Sequence, residues 1–132
     1  MPLADAGRKE RLRAVSRVLL AALFVVAGAL HFTATDFYLR IMPPYVPFHR
    51  AAVFGSGVLE IIGGIALLVP RLRRWAAAGL VLLLAAVFPA NVHMALHPEQ
   101  FPDVAPLLLW LRLPLQPMLM AWLWWAAGAG DA

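Results

Sequence analysis

The 132-residue chain is 63% hydrophobic and only 14% charged, against about 25% charged in an ordinary soluble domain, so its apolar surface must face something other than water. Its formal charge of +4 and pI near 10.7 do not point to nucleic acid, because the arginines crowd at the ends of apolar runs and form no basic stripe interleaved with exposed aromatics. It has no cysteine, which excludes disulfides and thiol redox chemistry of its own and leaves the redox state of its compartment unreadable.

A membrane-spanning helix needs roughly 20 mostly apolar residues. Residues 1–13 read as a basic cytoplasmic tail, followed by a first span over about 14–32 in which Val18 to Leu30 is unbroken. This segment has a second reading. A basic start, an apolar stretch and Ala27-Gly28-Ala29 resemble a cleavable secretion signal, which would leave an odd three-helix remainder. Asp36 to Arg50 is the longest connection. Its Pro43-Pro44-Tyr45-Val46-Pro47 cannot be regular helix, and it reads either as a loop dipping into the outer face or as a stiff linker. The second span covers about 51–69 and is stopped by Pro70 and the arginines after it. The third covers about 75–96. The fourth, about 106–127, is the least regular, because Arg112, Pro114, Gln116 and Pro117 interrupt it, and its first turns are expected to be partly unwound. Residues 128–132 form a short C-terminal tail. The expected fold is all-α, a transmembrane four-helix bundle, because lipid cannot satisfy the backbone of open strands.

Basic residues set the orientation. Arg8, Lys9, Arg11, Arg13 and Arg17 precede or open the first span, and Arg71, Arg73 and Arg74 lie between the second and third. The opposite side has only Arg40 and Arg50. This asymmetry predicts a multi-pass protein of the cell membrane with both termini cytoplasmic. Trp75, Trp124 and Trp125 then fall at the inner boundary, and Tyr38, Tyr45 and Trp110 near the outer one, as an aromatic belt requires.

Polar side chains inside hydrocarbon cost several kcal/mol unless partnered, so their positions carry information. At about 1.5 Å per helical residue, Glu60 lies roughly 13 Å below the outer end, Arg112 about 9 Å, Asn91 about 7 Å and His93 about 4 Å, with His31 near the surface. All come from different helices except the pair Asn91 and His93, and all fall in the outer half. His49 and His97 are placed outside as well. Ser56, Glu60 and Gly63 share a face flanked by Gly57 and Gly64, and small residues let helices approach closely. Arg112 and Gln116 share a face one turn apart. Pro89 frees the carbonyl of Ala85 and can kink the third span beside His93.

Two readings of this cluster stand side by side. In one, Glu60 pairs with Arg112 while Asn91 and Gln116 fill the remaining hydrogen bonds, as glue between helices. In the other, His31, Glu60, Asn91, His93, Arg112 and Gln116 line a pocket for a small molecule, a lipid or a quinone head group, roofed by Pro43 to Pro47. A metal or haem site is a weaker reading. His93 and His97 have the spacing of a helical metal pair, but Pro98 disturbs helical geometry at His97.

Ala27-Gly28 with His31-Phe32, Pro43-Pro44, Gly55-Ser56-Gly57-Val58-Leu59-Glu60 with Gly63-Gly64, Phe88-Pro89-Ala90-Asn91 and Arg112-Leu113-Pro114-Leu115-Gln116 together resemble the DoxX-like family of small four-helix membrane proteins, over about Ser16 to Trp125. The resemblance implies a membrane partner of redox proteins, since some members are associated with thiosulfate–quinone oxidoreduction, and it carries over no catalytic residue. The fold also resembles the four-helix bundles of quinone-linked thiol oxidases, whose cysteines are missing here. The expected function is a non-catalytic membrane component of a redox or envelope complex, with the lipid bilayer and such membrane proteins as partners. The alternatives are a binding or transport protein, or a quinone-holding oxidoreductase subunit, using the outer pocket. No nucleophile–base arrangement, phosphate loop or complete metal motif argues for an independent enzyme.

Overall fold

The computed structural model describes residues 2–130. Among them there is no strand. Five α-helices follow one another, α1 (Pro2–Thr33), α2 (Thr35–Ile41), α3 (His49–Ala66), α4 (Arg73–Leu96) and α5 (Pro106–Ala126), with a 3-10 turn at Pro98–Gln100. Three of them, α1, α4 and α5, are long and apolar enough to cross a membrane. The shorter α3 begins with His49-Arg50, carries Glu60 and ends at Ala66. The helix of the expected second span ends at Ala66, and residues 67–72 are turns and a bend.

The basic N-terminal residues are helical. They continue α1, whose 32 residues span about 48 Å at 1.5 Å each, well beyond the roughly 30 Å of a hydrocarbon core. The buried stripe of α1 is Arg17, Leu20, Ala21, Phe24, Gly28 and His31, at the three- and four-residue spacings of one helical face. It lies along α3. A Cβ on Gly28 would stand 2.6 Å from the Gly57 carbonyl oxygen, one on Gly57 2.9 Å from that of Gly28, and one on Gly64 3.0 Å from that of Ala21. Only glycine permits this approach of the two backbones.

α4 packs along α5, and the two pairs meet through α3–α4 and α1–α5 contacts. On α5 the buried positions Leu109, Gln116 and Leu123 are seven apart, two turns along one face. Pro114 and Pro117 lie inside this helix without interrupting it, contrary to the unwinding expected from them. Packing against α4 holds the helix in register, and a proline removes one donor without unwinding a helix that neighbours support.

Two apolar clusters form the interior. One joins Leu20, Phe24, Leu67, Leu80, Leu84 and Leu123 at the end nearer the chain termini. The other joins Ile41, Met94, Ala95, Phe101 and Leu109 at the opposite end. Large apolar side chains also cover the outside, with Leu82 70% and Met118 65% exposed, while Ser16, Arg17, His31, Glu60, Asn91 and Gln116 are buried. The interior is mainly apolar, but this much exposed apolar surface is unlike a water-soluble protein.

The connection expected between the first two spans contains a helix. α2 has Asp36 in its first turn and Arg40 in its last, which suits the helix dipole. Thr35 Oγ1 donates to the His31 carbonyl at 2.9 Å, and Ala34 makes the break from α1. Met42 is extended, as a residue before proline must be, and a His49 Nε2–H donates to the Pro43 carbonyl at 3.1 Å. Phe48 enters α3 at φ 54°, the left-handed region where an aromatic side chain is strained. At the C-terminus, residues 127–130 form turns. The rest of the expected tail, 131–132, lies outside the described residues.

Candidate functional site

Between the two apolar clusters lies a cavity of about 340 Å³, within the lower range of small-molecule sites, about 300–1,000 Å³. Phe24 and Leu84 wall one end, and Tyr38, Ile41 and Met42 the other. Its polar lining is His31 from α1, Tyr38 from α2, Ser56 and Glu60 from α3, Asn91 from α4, and Arg112 and Gln116 from α5. Five of the six candidate residues thus meet in one cavity. His93 does not line it. Its ring lies tilted against His97, 4.4 Å between centroids and 33° between planes, and His97 Nδ1–H donates to the His93 carbonyl at 2.9 Å. On α4 the position facing inward is Asn91, and His93 is two residues, about 200°, around the helix.

Asn91 and Gln116 are bonded to each other and to the protein backbone. Asn91 Nδ2 donates to Gln116 Oε1 at 2.8 Å, and Gln116 Nε2 donates to the Leu84 carbonyl at 2.7 Å. That carbonyl neighbours the one on Ala85 that Pro89 leaves without its helical donor. These two residues therefore tie α4 to α5, as the glue reading expects, while one side of them faces the cavity.

The expected Glu60–Arg112 pair is not formed. Glu60 Oε2 instead approaches His31 Nδ1 at 3.5 Å, and Nδ1–H already donates to the Ala27 carbonyl at 2.8 Å. Oε2 is buried without a hydrogen-bond partner among the described residues. The reason is the close α1–α3 contact: Gly28 and Gly57 bring His31 within reach of Glu60, whereas Arg112 belongs to α5. Arg112 is half-buried in the cavity wall and makes no hydrogen bond or ion pair with the described residues. The Ser56 hydroxyl is occupied by the Ala52 carbonyl at 2.7 Å.

Tyr38 is placed by the sequence in an aromatic belt and not among the cavity residues. It stacks on His31, 4.0 Å between ring centroids and 22° from parallel, and closes the end of the cavity farther from the chain termini. The role expected of Pro43 to Pro47 as a roof falls to α2. Burial, then the nearby Glu60, push the Tyr38 phenol above its ordinary value, and Arg112 acts the other way, so its hydroxyl remains a donor near neutral pH. The available signal was Phe37-Tyr38 followed by Ile41, an amphipathic turn between Asp36 and Arg40.

The lining places one cation, one carboxyl, an imidazole, a phenol, a hydroxyl and two amides in an apolar shell. This arrangement can orient a small polar head and sheathe an apolar body. No nucleophile with an adjacent base is part of it, and no group of three or more His, Asp or Glu side chains able to hold a metal exists among the described residues.

At the other end of the molecule Arg17, which the sequence places among the basic residues of the N-terminal side, is buried. Its Nη1 donates to the Ala126 carbonyl at 2.9 Å, and its Nη2 pairs with Glu10 at 2.7 Å. Arg13 lies over the Trp125 ring at 5.3 Å. These contacts fasten α1 to the end of α5.

Fold and site together define an all-helical protein with a largely apolar exterior and a polar-lined cavity between its two apolar clusters. A family model described as a domain of unknown function, DUF8561, matches residues 20–127, and the chain belongs to that family. No curated protein and no solved structure matches it.

Proposed function

We propose that this chain is a multi-pass protein of the cell membrane in which α1, α3, α4 and α5 form a transmembrane four-helix bundle, with both termini cytoplasmic, and that it binds a small molecule in the cavity of the outer half. The observation that carries the reading is the partnering of the buried polar groups. Asn91 and Gln116 bond to one another and to the Leu84 carbonyl, but Glu60, whose Oε2 is buried without a hydrogen bond, and Arg112, which makes none with the described residues, line the same cavity. Glue alone would leave neither without a hydrogen bond, because an unsatisfied polar group in hydrocarbon costs several kcal/mol.

The large exposed apolar surface supports the membrane assignment, and α3, although short, is enclosed on two sides by α1 and α4. The arginines at the α1 and α4 starts support the orientation. The glycines shared with the DoxX-like pattern, Gly28, Gly57 and Gly63-Gly64, fall where helices touch, which supports membership of that wider group. The function is then non-catalytic: the bundle holds a lipid, a quinone or another small amphiphile.

A second reading, a membrane component that assembles with a redox or envelope protein, is favoured by a groove on the α3–α4 face. It is lined by Leu59, Ile62, Gly63, Ala66, Trp75 and Gly79 among others and measures about 420 Å³. Small and apolar residues suit a partner helix.

The test is solvent extraction of the protein purified in mild detergent, followed by mass spectrometry. Ala27 lines the cavity, so Ala27→Trp fills it. A compound retained by the native chain and lost in that variant is expected. The same compounds in the same amounts from both would refute the binding reading.

A further inference from the structure

The cavity opens sideways. Leu23 on α1 and Leu115 on α5 both line it, yet they are 46% and 56% exposed. The α1–α5 seam is closed at the end of the termini, where Arg17 grips the Ala126 carbonyl and Leu20 packs in one cluster with Leu123. One turn or more further toward the cavity, the side chains flanking the seam face both the interior and the surroundings. Nothing so open lies between α1 and α3, where Gly28 and Gly57 bring the backbones together.

Charge decides what suits this space. His31 is the neighbour of Glu60, so when this pair holds one acidic proton between its two members it has no net charge. Asn91 and Gln116 are neutral and mutually bonded. Arg112 remains, a permanent cation without a protein counter-ion among the described residues. An uncompensated cation in a low-dielectric wall favours an anion over every neutral ligand of the same shape. The rest of the wall near the seam, Leu23, Phe24, Leu115 and Leu119, suits an alkyl chain.

We infer that the α1–α5 seam is a portal from the membrane, and that the cavity takes a single-chain anionic amphiphile, its carboxylate or phosphate monoester on Arg112 and its chain along Leu23, Phe24 and Leu119. This rests on the binding reading above and names the ligand class and its route. Tyr38, whose hydroxyl is a donor beside the same head group, closes the site above the anion.

The experiment is native mass spectrometry of the protein in lipid nanodiscs, titrated with decanoate, decyl phosphate or decanol. The native chain is expected to bind at least one of the two anions about tenfold more tightly than the alcohol, the size of one charge-assisted hydrogen bond. Whichever anion binds tighter identifies the head group. Arg112→Gln, which retains a hydrogen-bonding side chain, is expected to lose the preference, and Arg112→Lys to regain it. Ala27→Trp is expected to lose binding of all three. Equal binding of anions and alcohol, abolished by Ala27→Trp, overturns the anionic ligand and leaves the cavity as a binding site. Binding that Ala27→Trp does not alter, or none at all, overturns both.

Discussion

Asn91 and Gln116 form the polar joint between α4 and α5: the Asn91 amide donates to Gln116 Oε1 at 2.8 Å, and Gln116 Nε2 passes on to the Leu84 carbonyl at 2.7 Å. Gln116 occupies the heptad position between Leu109 and Leu123, where an apolar residue would otherwise pack. Gln116→Leu should lower stability by about 1–2 kcal/mol, the scale of hydrogen bonds between helices in membranes. Asn91→Leu with Gln116→Leu should lose less than the sum of the single changes, because neither variant partner is then left unpaired. Melting of the four proteins in one detergent checks this, and additive losses would contradict the joint.

The α1–α3 contact depends on glycine. A Cβ at Gly28 meets the Gly57 carbonyl oxygen at 2.6 Å, and since backbone cannot rotate away the helices must separate. Gly28→Ala and Gly57→Ala should each destabilise by about 1–3 kcal/mol, as overpacking does. Gly55 has nothing within 4 Å of such a Cβ, so Gly55→Ala should be close to neutral. Thermal melts of the three variants make the comparison, and equal effects at Gly55 and Gly57 would contradict the contact.

Glu60 should be coupled to His31 and not to Arg112. Double-mutant cycles of Glu60→Gln with His31→Phe, and of Glu60→Gln with Arg112→Gln, separate the two. The first is expected to deviate from additivity by about 0.5 kcal/mol or more, the usual mark of residues in contact, and the second to be additive. The reverse would restore the direct Glu60–Arg112 pair.

How the site departs from what the sequence suggests follows from what a sequence carries. Depth along a helix is legible, because the rise per residue is fixed, and His31, Glu60, Asn91, Arg112 and Gln116 do converge on one cavity. Rotation about the helix and the choice of neighbour are not. Glu60 meets His31 because two glycines pull α1 onto α3, and His93 turns away because the inward position falls at Asn91. The apolar stretches of α1, α4 and α5 were readable to within a few residues at most ends. α2 was hidden by the prolines that follow it, and α5 stays helical through Pro114 and Pro117 because α4 supports it.

Orientation is checked by single cysteines, for which the cysteine-free chain is already suited. Arg71 lies in the turn between α3 and α4, and Gln100 ends the 3-10 turn before α5. Both are exposed. In intact cells, a membrane-impermeant thiol reagent should label Gln100→Cys and spare Arg71→Cys. The opposite pattern would invert the proposed topology and place the cavity in the inner half.

The account turns on whether the cavity between Glu60 and Arg112 is occupied in the membrane. The direct measurement is a high-resolution density map of the protein in lipid nanodiscs prepared without detergent extraction of its lipids. Non-protein density is predicted in the cavity, with a head group against Arg112 and an extension past Leu23 and Leu115 through the seam. A map in which Arg112 has turned to Glu60, with the cavity closed around them, would contradict it.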